Sequence, residues 1–311
     1  MEEKDRHGSC TGAACLKTEL ACLPCFIRQV VRTLGYAGVN RETGRDLLRR
    51  AESIIEQASL DQPPARISTL LHRLIREETG LDPYRAVKDT YNQKALDLLP
   101  MIRRMAESSS GANPLAGGVR AAIAGNIIDF GIFDSVDLDL SLRESFDLPL
   151  SDAAFDEFSR SVVPARRILY LCDNAGEIVF DRVLIDILTS MGKDVTAVVK
   201  GVPVINDATL EDAAAVDLSA SGCQVMDNGN DGIGTLLERC SARFSDAYGS
   251  ADLIISKGQA NFETLATVPD DRIYFLFKVK CRVVAQWLRR ENGELVLMRN
   301  QTVGACPELV S

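Results

Sequence analysis

Apolar positions along the chain follow two rhythms, and the change between them divides the molecule. From Glu19 to about Ser109 they recur at three- and four-residue intervals: Phe26, Val30, Val31 and Leu34, then Leu47, Leu48, Ile54 and Ile55. Leu70, Leu71, Leu74 and Ile75 follow, and then Leu96, Leu98, Leu99 and Ile102. That spacing gathers them on one face of a helix. Turn signals at 61–64 and 80–83 separate the runs, so about four or five helices are expected. A loose tail is read over 1–18 and a helical region over 19–114, closed by the Ser/Gly/Asn/Pro-rich break at 108–114.

Past the break, 115–129 is rich in small residues, which on a helix usually mean close packing. Asn126 and Asp129 lie three apart there, spaced to share a face that either bonds the core or reaches a site. Residues 136–150 alternate Asp with Leu or Val and read as a short edge segment or a surface loop, and 152–162 as an amphipathic helix. From Arg167 the rhythm becomes strand then helix. Strands are expected at 168–172, 195–200, 224–226, 253–256, 273–277 and 294–299, and helices at 180–190, 210–214, 233–240 and 261–265. Such alternation predicts an α/β domain over 115–311, a mostly parallel sheet wrapped by helices.

In such a sheet, ligands bind in the crevice beyond the carboxyl ends of the strands. The first strand end reads Cys172, Asp173, Asn174, Ala175, Gly176, Glu177. Two hard oxygen side chains open that turn, either as metal ligands or as caps of the next helix. The second strand end brings Asp207 and Asp212 to the same edge. Two carboxylates and an amide carbonyl suit Mg²⁺ or Mn²⁺, leaving room for water or a phosphate oxygen; the plainer alternative is a cap at Asp207 or Thr209 and a solvated Asp212. The third, 227–232, is an anion-holding loop or a plain turn. The fourth carries Lys257, Gly258 and Asn261, a lysine beside a glycine that permits close approach to phosphate. The fifth carries Lys278 and Lys280 on one side of the strand. Carboxylates first and lysines later make a site for a phosphorylated substrate, with Asp207 to orient or deprotonate water, or Asp173 to attack.

Composition narrows the field. The 311 residues are 46% hydrophobic with a net charge of −9, which argues against nucleic acid as the main partner. No apolar run nears the roughly 20 residues of a membrane span. The polar start lacks a signal-peptide core, which makes the cytosol the default address. Two histidines, His7 and His72, leave little room for histidine-based catalysis. Nine cysteines scattered over this length do not form a disulfide framework. Cys22 and Cys25, with Cys281 or Cys306, could bind a soft metal, form a redox pair or simply pack. Cys172, Cys223 and Cys240 read as small core residues.

The segments CLPC, NPLAGGVRAAIAGNIIDFG, DNAGEIVFDRVLID, VVKGVPVINDATLEDA, ADLIISKGQANFETL and FKVKCRVVA together resemble the DUF89 family of metal-dependent damage-control phosphatases. The likeness runs in order from Cys22 to Ala285 and is nearest the archaeal and bacterial branch with a Cys-x-x-Cys pair. It implies a helical region on a three-layer α/β/α domain, and hydrolysis of small phosphometabolites such as sugar phosphates. It implies one divalent ion, Mg²⁺, Mn²⁺, Co²⁺ or Ni²⁺, on an Asp-Asn pair and a later Asp, carried over to Asp173, Asn174 and Asp212. The family's KGxxN lysine and asparagine fall on Lys257 and Asn261, and its late lysine on Lys280. Its glycine-asparagine-to-aspartate element falls on Asn126 and Asp129. With these, Gly176 leaves room for phosphate, Gly258 is a substrate contact, and Glu177 either touches the substrate or supports the residues that do. Eukaryotic members carry Arg-Thr-x-Lys where this chain has Phe277, Lys278, Val279, Lys280, so their substrate preferences do not transfer.

Two other readings compete. An S-adenosylmethionine-dependent carboxyl methyltransferase also uses an acidic strand end, but its glycine-rich turn is missing and Gly176 stands alone. A non-catalytic phosphometabolite- or metal-binding protein would differ only in turnover.

Overall fold

The computed structural model describes residues 16–80, 82–111, 113–127 and 138–300, with backbone alone for 127 and 138–141. Five helices come first: α1 (Leu23–Tyr36), α2 (Arg41–Gln57), α3 (Pro64–Thr79), α4 (Arg85–Ser109) and α5 (Pro114–Ile127). Their ends follow from local chemistry. The Asn40 side chain accepts hydrogen bonds from the backbone N–H of Glu42 and Thr43, both at 3.0 Å, and so starts α2. Pro64 opens α3, and Gly80 ends it in the left-handed conformation. Phe26, Val30 and Leu34, Leu47 and Ala51, and Ile67, Leu71 and Ile75 give α1 to α3 their own small core. Leu16 and Thr18 are buried, and the Thr18 N–H bonds the carbonyls of Leu60 and Gln62.

Two more helices, α6 (Leu138–Asp147) and α7 (Asp152–Val162), lead into the sheet. The edge segment or loop expected at 136–150 is helical over 138–147. There Leu142 and Phe146, four apart, are both buried, so the helical period of the same residues prevails over their alternation. The strands are β1 (Arg167–Leu171), β2 (Asp194–Val199), β3 (Gln224–Asp227), β4 (Leu253–Lys257), β5 (Ile273–Lys278) and β6 (Leu295–Arg299). They lie in the order β3-β2-β1-β4-β5-β6, parallel except for β6. The connecting helices are α8 (Glu177–Ser190), α9 (Leu210–Ala215), α10 (Ala242–Ser250), α11 (Gln259–Leu265) and α12 (Arg282–Leu288). The helix expected at 233–240 is a loop with one short turn at Leu237–Arg239. Gly234, at φ 72°, breaks it, and α10 begins only after the Ser241 cap.

Both faces of the sheet are covered, which is why the central strands read as nearly unbroken apolar runs. Ile168, Tyr170, Ala197 and Ile255 face a core shared with α4, α5 and α8. Leu169, Leu171, Ile254 and Phe275 face Phe244 of α10, Phe262 of α11 and Val284 of α12. The small residues of α5 allow it to approach α8 closely: a methyl group on Gly125 would sit 2.7 Å from Cβ of Phe180. The chain leaves β1 toward β2 and β3, then returns to continue with β4 on the other side of β1. That reversal opens a crevice at the carboxyl ends of β1 and β4.

Candidate active site

The turn after β1 lies in that crevice. It is zipped to the turn after β2: Ala175 N–H donates to Asn206 O at 2.9 Å, and Ala208 N–H to Asp173 O at 2.8 Å. Asn174 and Asp207 thereby become bridge partners. Asp173 is buried, and its Oδ2 accepts amide hydrogens from Asn174 at 2.7 Å and Asn126 at 3.2 Å. Burial, and then the charges of Glu177 and Asp207, push its carboxyl well above the usual range. Gly258, at φ 81°, comes so close that any Cβ there would overlap the Asp173 carboxylate. Glycine is needed at this position both for its backbone angle and for the space.

Glu177, at the start of α8, has two amides and an ammonium on its carboxylate. Asn126 donates to both oxygens at 3.1 and 3.0 Å, Asn174 to Oε2 at 3.1 Å, and Lys257 to Oε1 at 2.7 Å. Burial works to raise its pKa, but Lys257 and Lys280 outweigh burial and hold it below the ordinary value. Lys257 itself is fully buried at the end of β4. Its ammonium donates to Ala122 O at 2.7 Å, Glu177 Oε1 at 2.7 Å and Asp181 Oδ1 at 2.6 Å. All three donors of the ammonium are committed beneath the site, so its charge reaches a substrate only through Glu177. Asp181 also accepts from Tyr170 at 2.7 Å; burial raises its pKa to about 6 against the pull of Lys257.

The two acids of the second turn part company. Asp212 has both oxygens engaged: Arg85 at 2.6 Å and Asn92 at 3.0 Å on Oδ1, and on Oδ2 Lys88 at 3.0 Å and the N–H and hydroxyl of Thr209 at 2.9 and 2.8 Å. It completes the capping box of α9 and is fully buried rather than solvated. Burial opposes ionisation there, yet Lys88 and the Thr209 contacts hold its pKa low. Asp207 is also buried, but its Oδ2 receives no hydrogen bond, and the Lys200 ammonium stands 3.5 Å away. Burial raises its pKa, with Lys200 opposing. A buried carboxylate oxygen left without a donor, beside a second crowded carboxylate, is the arrangement a cation relieves.

The remaining expected residues are spread around this centre. Lys280 is exposed at the cavity mouth, and its charge acts on both Asp173 and Glu177. The Asn126 carbonyl accepts from Lys278 N–H at 3.0 Å. Asn261 is buried; it donates to the Cys172 and Lys257 carbonyls at 3.3 and 2.8 Å and accepts from the Thr235 hydroxyl at 2.8 Å, which fastens β1 to β4. Gly176, at φ 76°, spends its N–H on Asn92 at 2.8 Å, so that amide is not offered to phosphate. Asp129 and Cys306 lie outside the described residues. The third loop docks α3: Asp231 pairs with Arg73 at 2.6 Å and Arg76 at 3.2 Å. Cys22 packs in the core of α1 to α3, while Cys25 faces the cavity. Burial raises the pKa of Cys22, and Cys281 and Glu263 are near enough for their charges to raise it further, yet among the described residues no group of three or more His, Cys, Asp or Glu side chains is placed to hold a metal ion.

Three residues of α4 complete the site and were not expected there: Arg85, Lys88 and Asn92. Lys88 is fully buried between Asp212 and Asp82, the latter at 2.8 Å. A signal existed, because Lys88 and Asn92 fall on the same helical stripe as the buried Ala95, Ile102 and Ala106. Above the turn opens a cavity of about 730 Å³, walled by α1, the first turns of α4, Asn174, Glu177 and the end of β5.

Fold and site together define an α/β/α protein with an acidic strand end beside a cavity lined by Arg28, Arg32, Lys278 and Lys280. Residues 18–296 match the Damage-control phosphatase ARMT1-like domain family. An uncharacterized protein of Methanocaldococcus jannaschii is 36% identical over 295 residues, 91% of this chain and 96% of that protein. A damage-control phosphatase of Pyrococcus horikoshii is 32% identical over 294 residues, covering 92% and 99% of the two chains. One from Archaeoglobus fulgidus is 31% identical over 235 residues, 75% and 81%. The crystal structure of a DUF89 family protein from Pyrococcus horikoshii superposes with a TM-score of 0.81 at 32% identity, over 92% and 99% of the chains. The chain belongs to the ARMT1-like, DUF89 damage-control phosphatase family. Among the described residues no helix is long and apolar enough to cross a membrane.

Proposed function

We propose that the protein is a metal-dependent phosphatase of small phosphorylated metabolites, sugar phosphates or related compounds. The observation that carries this reading is Asp207 Oδ2, a buried carboxylate oxygen without a hydrogen bond, joined by bridge pairing to the Asp173–Asn174 turn under a cationic cavity. Asp173, Asn174 and Asp207 would hold one Mg²⁺, Mn²⁺, Co²⁺ or Ni²⁺; Asp212, expected as the third ligand from the family likeness, is a poorer candidate because five donors already occupy it. Such an ion supplies Lewis acidity that polarises a phosphoryl oxygen and acidifies water.

The chain's own residues do the rest. Asn126 and Asn174 fix the plane of the Asp173 carboxylate by two N–H bonds. Lys257 keeps Glu177 anionic and in place, as a positioning residue. Lys280, exposed at the mouth, neutralises the equatorial oxygens of the phosphoryl group. The reaction is displacement at phosphorus: water or Asp173 adds, the ester oxygen leaves, and inorganic phosphate is released in the end.

The test is a phosphate-release screen over sugar phosphates, nucleotides and cofactor phosphates with each of the four metals, and again after chelation. Release that needs metal and disappears in Asp173→Asn and Asp207→Asn is the expected result. If no substrate yields phosphate with any metal, the reading fails.

A further inference from the structure

The cavity is larger than one phosphoryl group needs, and one of its walls is chemically distinct from the strand ends. That wall is a stripe of α1 at helical spacing: Cys25, Arg28, Gln29, Arg32 and Tyr36 all line it. Arg28 and Arg32 are one turn apart, which brings their side chains to neighbouring positions on one face. Both are exposed, and neither has a carboxylate within ion-pair distance among the described residues. Helix α1 contains no acidic residue. Two like charges one turn apart repel each other by a few tenths of a kcal/mol unless an anion joins them. A solvated basic face is the plain alternative, yet this wall runs against a chain in which Asp and Glu outnumber Lys and Arg by 44 to 35.

Lys278 and Lys280 line the cavity as well, and the acid lining it, Glu177, is already compensated by Lys257. A single phosphoryl group over an Asp-Asn-Asp-bound cation would be matched by the two lysines alone. Arg28 and Arg32 are then surplus positive charge in the cavity wall, and the planar donor fork of a guanidinium suits a phosphate or carboxylate. Tyr36, half exposed and edge-on to Tyr84 at 4.9 Å between ring centres, adds an aromatic surface to the cavity wall.

From this juxtaposition we infer a second anion subsite: the preferred substrate carries two anionic groups, the scissile phosphoryl at the Asp173 turn and a second phosphate or carboxylate on Arg28 and Arg32. The inference rests on the phosphatase reading for what happens at the first group, but not for binding at the second.

Three probes decide it: fructose 1,6-bisphosphate, 6-phosphogluconate and fructose 6-phosphate, the second anion being phosphate, carboxylate and absent in turn. For the wild-type protein with Mn²⁺, kcat/KM for at least one doubly anionic probe should exceed that of fructose 6-phosphate by tenfold or more. In the Arg28→Ala/Arg32→Ala double variant that ratio should fall toward one, and in Arg28→Lys/Arg32→Lys it should recover in part. Calorimetric titration of the same probes into metal-free and Mn²⁺-loaded protein gives the ratio of Kd values without turnover. If no phosphate is released, the phosphatase reading fails while the titration still decides the subsite. A wild-type ratio near one, or a ratio unchanged in the alanine variant, overturns the inference. The winning probe tells phosphate from carboxylate.

Discussion

Two aspartates five positions apart, Asp207 and Asp212, have opposite situations. One is a carboxylate with an unmet oxygen beside Asp173; the other is saturated by Arg85, Lys88, Asn92 and Thr209. Their asparagine variants should therefore separate function from stability. Asp207→Asn is expected to lower phosphate release at least a hundredfold, and because its one ionic partner, Lys200, stands off at 3.5 Å, to cost less stability than Asp212→Asn. Asp212→Asn removes one of the two counter-charges of the fully buried Lys88, Asp82 being the other, and also the partner of Arg85, and should cost about 3 kcal/mol of stability, since breaking buried ion pairs leaves charge uncompensated. Urea unfolding of both variants, beside their rates, checks the pair; equal stabilities would refute the assignment. The residue types at these positions are plain in the sequence, and so is the acid-then-lysine order of the strand ends. Which of two nearby aspartates is saturated with hydrogen bonds is not, because that depends on Lys88 and Asn92, more than a hundred positions away along the chain.

Between elements, the junction of α11 with α3 carries a titratable group with a visible consequence. Glu263 is buried and accepts from Gln259 at 2.9 Å and from the backbone of Ala65. Burial, against those two hydrogen bonds, lifts its pKa from 4.5 to about 7. The unfolded chain loses this proton near 4.5 and the folded protein only near 7, so between those values the folded state binds more protons. Stability contributed here is intact below pH 4.5 and falls as pH rises to 7, by about 3 kcal/mol at most. Glu263→Gln keeps the neutral form at all pH values. The difference in unfolding free energy, wild type minus variant, should become more negative from pH 5 to pH 8; parallel curves would refute the buried proton. Element existence was largely readable, as α1 to α5 and the six strands follow apolar period. The exceptions have local causes. Residues 138–147 satisfied two periods, and the segment before α10 is apolar enough for a helix but carries Gly232 and Gly234, one of which needs a positive φ.

At the scale of the whole molecule, helices from the N-terminal region and turns from the sheet meet at one cavity, and a bound cation would tie them together. A ligand that binds only the folded state stabilises it by mass action, about 2.7 kcal/mol at a hundredfold excess over Kd. For a chain of this length that corresponds to a rise in Tm of about 4 °C. Mn²⁺ should produce such a rise, chelation should reverse it, and Asp207→Asn should show none; a wild-type melting curve indifferent to all four metals would remove the proposed ion site. By itself the sequence determined the class of fold, the family and the chemistry offered at each strand end, because period, turn residues and short motifs are local properties. Only the tertiary structure decided which of those groups are free to act. It turned Lys257 and Asp212 inward onto counter-charges and left Asp207 unmet. It also aimed Arg28 and Arg32 into the cavity, since burial and pairing are settled by neighbours that are distant in the chain.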